Sequence, residues 1–167
     1  MRSIDSRSEL WARVSVVALL GTVVLGHGGA VAAQSRASDE TAAVRRAAEH
    51  FLRVFEDLDW ERFRATWASE PTVFFPFGDT PERITGRAAV EARWRRFFDD
   101  TRAQTPGPPY LRLEPRDLRV DQYGVAALVT FTLGGASVGS VGRRSLLFVK
   151  ENGEWKLAHL HASGVRL

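Results

Sequence analysis

Asn152-Gly153, set between two alternating apolar runs, constrains this chain more than any other feature. Both central positions of a type I′ turn need positive φ, which Asn and Gly supply most readily, so the pair predicts a tight β-hairpin. A two-residue loop also predicts the register: Glu151 opposite Glu154, Lys150 opposite Trp155, Phe148 opposite Leu157, Leu146 opposite His159 and Arg144 opposite His161. Cross-strand partners share a face. One face is therefore expected to carry Arg144, Leu146, Phe148, Trp155, Leu157, His159 and His161. The other would carry Ser145, Leu147, Val149, Lys156, Ala158, Leu160 and Ala162. Both faces are mainly apolar, so both need a cover.

The N-terminus predicts a secretory signal over residues 1–33. Arg2, Arg7 and Arg13 form a positive region, Val14 to Gly26 an apolar core, and Ala30-Val31-Ala32-Ala33 a small-residue site for cleavage after Ala33. The core falls short of the ~20 apolar residues that span a bilayer as a helix. The expected mature chain is thus periplasmic or secreted, with no membrane attachment after cleavage. Residues 34–40 read as a polar leader and 41–167 as one domain. Cysteine is absent, which excludes disulfides, thiolate catalysis, cysteine-ligated zinc and an anchor on an N-terminal cysteine. A net charge of +3 without a lysine-rich run gives no reason to expect a nucleic-acid partner.

Ser38, followed by Asp39 and Glu40, predicts a helix N-cap with acids in the first turn. Val44, Ala47, Ala48, Phe51, Leu52 and Phe55 then recur at helical spacing, with His50 on the border of that stripe. Asp59 is expected to cap a short second helix presenting Trp60, Phe63 and Trp67. Pro71 would mark its end, and Thr72 to Phe77 reads as a strand. Gly78 to Gly86 is loop. A third helix would turn Val90, Trp94, Phe97 and Phe98 inward and Arg93, Arg95, Arg96 and Arg102 toward solvent. After the Thr105–Pro109 loop the period becomes two. Leu111 and Leu113 alternate in one parity, Leu118 and Val120 in the other, which predicts a bulge or kink near Pro115. Tyr123-Gly124 turns the chain into Val125 to Leu133, and Gly134 to Gly142 connects to the hairpin. Helices followed by a meander give an α+β fold: a curved antiparallel sheet wrapped on about three helices, forming a cone closed at one end. The helices cover one face of the sheet. A second subunit is expected to cover the other, in a homodimer or larger homo-oligomer.

These residues resemble the nuclear transport factor 2-like superfamily (the cystatin-like roll), and within it the SnoaL-like branch, from about Ala42 to Gly164. The marks are the Asp59-Trp60 helix start, Phe74-Phe75-Pro76, Gly86-Arg87-Ala88 opening the third helix, and Trp155 through Gly164. The ending GEWKLAHLHASG is also similar to the association domain of calcium/calmodulin-dependent protein kinase II. The resemblance implies the cone. It leaves function open among isomerases, cyclases, dehydratases, scaffolds and binders. The association domain's last strand has two histidines spaced as His159 and His161 are. Its carboxylate-binding arginines fall at the positions of Phe131, Leu146 and Ala162, none of them arginine here. Arg144, two residues before Leu146, is the candidate substitute. Asp117, Asp121, Tyr110 and Tyr123 all lie near expected strand ends and do not match the buried Asp and Tyr of ketosteroid isomerases.

His159 and His161 are the concentrated chemistry of the chain, with same-face side chains ~6–7 Å apart along a strand. If that face lines the cavity, either imidazole is a candidate general base near neutral pH, kept neutral by burial and by Arg144. The alternatives are structural hydrogen bonding, pocket lining without catalysis, and zinc binding, for which the sequence offers no third ligand. Trp60, Trp67, Phe74 and Trp94, together with Phe131 and Leu146, are either the wall of an apolar pocket or plain core. Three functions follow: a binder of a small, mainly apolar molecule in the cone, a cofactor-free isomerase or cyclase using a cavity histidine, or an oligomerisation scaffold. No metal or cofactor is expected in any of them.

Overall fold

The computed structural model describes residues 27–134 and 139–167, with side chains from Gln34 onward. The expected signal up to Gly26, and residues 135–138 of the glycine-rich connection before the hairpin, lie outside the described residues. Three helices, α1 (His27–Glu56), α2 (Trp60–Ala65) and α3 (Arg87–Gln104), pack against one face of a curved six-stranded sheet. Its strands are β1 (Trp67–Phe74), β2 (Ile84–Thr85), β3 (Arg116–Tyr123), β4 (Ala126–Gly134), β5 (Ser140–Glu151) and β6 (Glu154–Arg166). They lie in the order β2-β1-β6-β5-β4-β3. This is the α+β cone expected from the sequence, with one pairing that a meander lacks. β6, last in the chain, sits between β5 and β1 and runs parallel to β1. Among the described residues no helix is long and apolar enough to cross a membrane.

Helix α1 begins well before its expected cap. The Ser38 hydroxyl donates to Ser35 O at 2.7 Å and that of Thr41 to Ala37 O at 2.9 Å, so both bond back into a helix already running. The stretch read as a polar leader is therefore helical. It brings Glu40 to the hairpin, where the carboxylate accepts from Lys150 Nζ at 2.6 Å and Trp155 Nε1 at 3.1 Å. Lys150 also lies 5.6 Å from the Trp155 ring centroid. The Lys150 contact lowers the Glu40 pKa.

Asp59 caps α2 as expected, accepting from Arg62 N at 3.2 Å. The helix stops at Ala65, however, and Trp67 opens β1. Pro71 is buried inside that strand rather than ending a helix. It is tolerated because the pairing is irregular there: Trp67 meets Leu157 while Thr72 meets His159, leaving extra residues on β1. Arg87, the first residue of α3, holds the irregular turn. Its Nη1 donates to Trp67 O at 3.1 Å and Ala68 O at 3.0 Å, its Nη2 to Arg64 O at 2.7 Å, and its Nε to Glu91 Oε1 at 2.8 Å.

Two further expectations need correction. Arg93 is not on a solvated face: its guanidinium lies 5.0 and 4.9 Å from the Phe75 and Phe77 ring centroids, and Nε donates to Thr80 Oγ1. Leu111 and Leu113 are not in a strand. Their segment is tied to the end of α1, with Tyr110 N and Leu111 N donating to Glu56 O and Leu113 N to Glu56 Oε1. The expected kink comes just after Pro115, where the β3–β4 register slips between Arg116 and Arg119 and Asp117 adopts φ 54°.

Between helices and sheet, Phe63 packs 4.9 Å from Phe98 and 5.3 Å from Trp94, ring centre to ring centre. Phe51, Phe55 and Trp67 close around it. Tilted and edge-to-face pairs of this kind contribute about 0.5–1.5 kcal/mol each beyond area burial.

Arg87→Met keeps the aliphatic stem but leaves three carbonyls without their donor. It should lower the unfolding free energy by about 2–3 kcal/mol in urea denaturation. Arg96→Met, which removes one exposed ion pair with Asp100, should change it by less than about 0.5 kcal/mol.

Candidate functional site

The hairpin turns as Asn and Gly dictate, with φ 50° at Asn152 and 84° at Gly153. Its first four pairs, from Glu151–Glu154 to Phe148–Leu157, follow the expected register. Then the register slips. Leu147 pairs with His159, Leu146 with Leu160, Ser145 with His161 and Arg144 with Ala162, so Ala158 is an extra residue on β6. A one-residue slip exchanges the faces of everything beyond it. Leu160 and Ala162 turn inward, 4% and 6% exposed, and both histidines turn outward. The cause is the cost of burying polar groups. Without the slip, two imidazoles would enter an apolar cup that offers them no partner, while two aliphatic side chains faced outward.

His159 and His161 therefore do not line the cone, and the reading of either as a cavity base is overturned. On the outer face, the His159 Nδ1 and Thr72 Oγ1 are 2.7 Å apart. Phe74 lies beside both imidazoles, with ring centroids 6.0 Å from His159 and 5.5 Å from His161, and the Arg83 guanidinium is 6.0 Å from the Phe74 ring. Phe74, expected in the pocket wall, thus belongs to this outer cluster. Burial lowers the His159 pKa, and the neighbouring His161 and Arg83 lower it further.

The cone does contain a cavity, of about 320 Å³. Arg144, Trp94, Phe131 and Leu146 line it, as expected. Trp60 and Trp67 do not, and serve as core behind the wall. Sequence reasoning missed Phe75, one residue along from Phe74, because the strand carries bulky residues on both faces and its alternation alone does not show which face is inward. It also missed the cavity role of Leu111 and Leu113, since their period-two spacing reads as a strand while the segment is irregular and tethered to the end of α1. The contact between Phe75 and Trp94, 4.7 Å from ring centre to ring centre, fixes one wall. His50 is exposed and borders a separate, more polar depression with Arg62 and Lys156.

Among the described residues, Arg144 is the one charged group in the lining. It extends from β5, opposite Phe131 on β4 and Ala162 on β6. Its Nη1 donates to Arg143 O at 2.8 Å and Ser163 O at 3.1 Å. No described carboxylate lies within ion-pair distance of it, and burial alone lowers its pKa. Among the described residues the lining holds no carboxylate, imidazole, hydroxyl or thiol. Such a cavity can hold an apolar body and offer it one guanidinium. Its lining contains no side chain suited to accept a proton near neutral pH.

The SnoaL-like domain family model matches residues 44–166. Among solved structures, a candidate dehydratase of the nuclear transport factor 2-like family from Streptomyces avermitilis superposes with a TM-score of 0.64 at 23% identity, over 78% of this chain and 99% of its own. A cystatin-like fold protein from Burkholderia xenovorans gives 0.61 at 19% identity, over 77% and 94%. The calcium/calmodulin-dependent protein kinase II hub of S. rosetta gives 0.58 at 22% identity, over 75% and 96%. At these identities the likeness is one of fold. No curated protein matches the chain.

The His159 environment makes a pH prediction. Its folded pKa lies below the ordinary value of 6.5, so protonation favours the unfolded chain. The penalty is absent above that pH, grows as pH falls below it, and levels off below the folded pKa. Tm should therefore drop between pH 7 and 5 more steeply in the parent than in His159→Gln, and superimposable pH profiles would remove His159 from this account.

Proposed function

This chain belongs to the SnoaL-like domain family, and from there we propose that its mature form, exported to the periplasm or beyond, is a binding protein that holds one small, mainly apolar molecule in the cone. The observation that carries the reading is the cavity itself: about 320 Å³, walled by Phe75, Trp94, Phe131, Leu146 and their aliphatic neighbours. That volume falls within the range of small-molecule sites, and apolar walls with few polar anchors are their usual construction. A fold used only as a scaffold has no need of a hollow, and filling this one would add packing stability. The leader composition at Arg2 to Ala33 supports export. Leu128, Leu147 and Val149, on the sheet face away from the helices, support a homodimer in which a second copy supplies the missing cover.

Titration with the neutral fluorophore N-phenyl-1-naphthylamine tests the site. It should bind one per chain with a Kd on the order of micromolar, and Ala162→Phe, which pushes a ring into the cavity, should weaken it at least about tenfold. Absence of binding, or binding indifferent to Ala162→Phe, would overturn the reading. Native mass spectrometry of protein recovered from the periplasm should show a dimer of chains cut after Ala33 carrying a small extra mass. An uncut cytoplasmic monomer would refute both export and pairing.

A further inference from the structure

We infer that the molecule in the cone is an apolar carboxylic acid, bound as its anion by the Nε–Nη2 edge of Arg144, with Gly142 setting the pose of that guanidinium. The inference rests on the cone being a ligand site and adds the chemical class of the ligand.

Arg144 is held by one nitrogen only. The two carbonyls that Nη1 meets, Arg143 O and Ser163 O, fix the plane of the group and leave Nε and Nη2 without a partner among the described residues. Neither atom is sealed away. The sealed, unpartnered polar atoms are the indole nitrogens of Trp60, Trp67 and Trp94 and the Nε of Arg64. The free edge of Arg144 presents two parallel N–H groups, the spacing that matches both oxygens of a carboxylate. Among the described residues no carboxylate pairs with it. A cation left in an apolar wall is unfavourable unless something pairs with it. One negative charge compensates it. A phosphate dianion would leave a second charge in contact with Phe131 and Leu146.

Gly142 supplies an independent observation. Its backbone does not demand glycine, since it is absent from the positive-φ residues. Space does: a Cβ at 142 would lie 3.0 Å from Arg144 Nη1, 3.2 Å from Nη2 and 3.3 Å from Cζ. The guanidinium therefore lies flat against a bare Cα, two residues away on the same strand face. A Cβ there makes the guanidinium give by a few tenths of an ångström, which shifts it against its two carbonyls and re-aims the free edge. Gly164, paired with Gly142 across the hairpin, would meet nothing with a Cβ, so the crowding is specific to the residue beneath the arginine.

The test compares 2-naphthoate with 2-naphthamide, its uncharged counterpart, by isothermal titration on the whole mature chain at pH 7. The parent should prefer the acid by about ten- to a hundredfold, the worth of a charge-assisted hydrogen-bonded pair. Arg144→Met should bring the acid-to-amide ratio close to one. Gly142→Ala should lower that ratio several-fold, and Gly164→Ala should leave it where it was. Equal binding of acid and amide by the parent, or an unchanged ratio in Arg144→Met, overturns the acid assignment while the cone remains a ligand site. A ratio lost in Arg144→Met but intact in Gly142→Ala overturns the role of Gly142. If neither compound binds, and N-phenyl-1-naphthylamine does not either, it is the ligand-site reading itself that falls.

Discussion

The sheet face that meets the helices is apolar except at Arg144, and the register irregularities in this fold serve to keep it so. Strict alternation along β6 would place imidazoles where the aromatic cluster of Phe51, Phe55, Phe63 and Trp94 needs aliphatic carbon. The extra residue at Ala158 replaces them with Leu160 and Ala162. On the neighbouring β1, the irregularity between Trp67 and Thr72 takes up extra residues around Pro71, and Val73 and Phe75 beyond it are buried. On β3, the shift at Asp117 lets Leu118 and Val120 reach the core although Leu111 and Leu113 precede them in the other parity. Each slip gives up regular ladder pairing over a residue or more. Each gains burial of large side chains worth about 1.5–3 kcal/mol apiece, which outweighs the roughly 1 kcal/mol of a typical hydrogen bond.

This explains what could be read in the chain beforehand. Features fixed by local chemistry came through: the Asn152-Gly153 turn, the Asp59 cap, the inward stripe of α3 and the kink after Pro115. Features fixed by tertiary contact did not. Nothing near Ala158 marks it as the residue to be skipped, since alanine neither favours nor resists a bulge. The decision is made across the sheet, by Thr72 and Val73 on β1 and by the cup beyond them. The start of α1 was misplaced for a similar reason. Ser38 suits a cap, but it suits an i−3 bond inside a helix as well, and the clasp of Glu40 on Lys150 and Trp155 decides between them. Arg93 looked solvent-facing because arginine usually is, until Phe75 and Phe77 gave its stem and charge somewhere to lie.

The same slip alters the chemistry of the molecule. With the imidazoles outside, the cup keeps a permanent cation and no group that exchanges protons near neutral pH. The outer cluster of Thr72, Phe74, His159 and His161 is left facing away from the cavity, where a protonation change would act on the sheet's exterior instead of on its contents.

The placement of β6 bears on how the chain is made. The last strand to be synthesised is an inner strand, bonded to β5 on one side and to β1, laid down some ninety residues earlier, on the other. Until it emerges, β1 and β2 have no sheet to join, and the cup has no wall on the side of Leu157, Leu160 and Ala162. Closing so long a loop is slow compared with local pairing. Until β6 has emerged, a nascent chain of this kind holds an open cup, and closing it is a late event in folding.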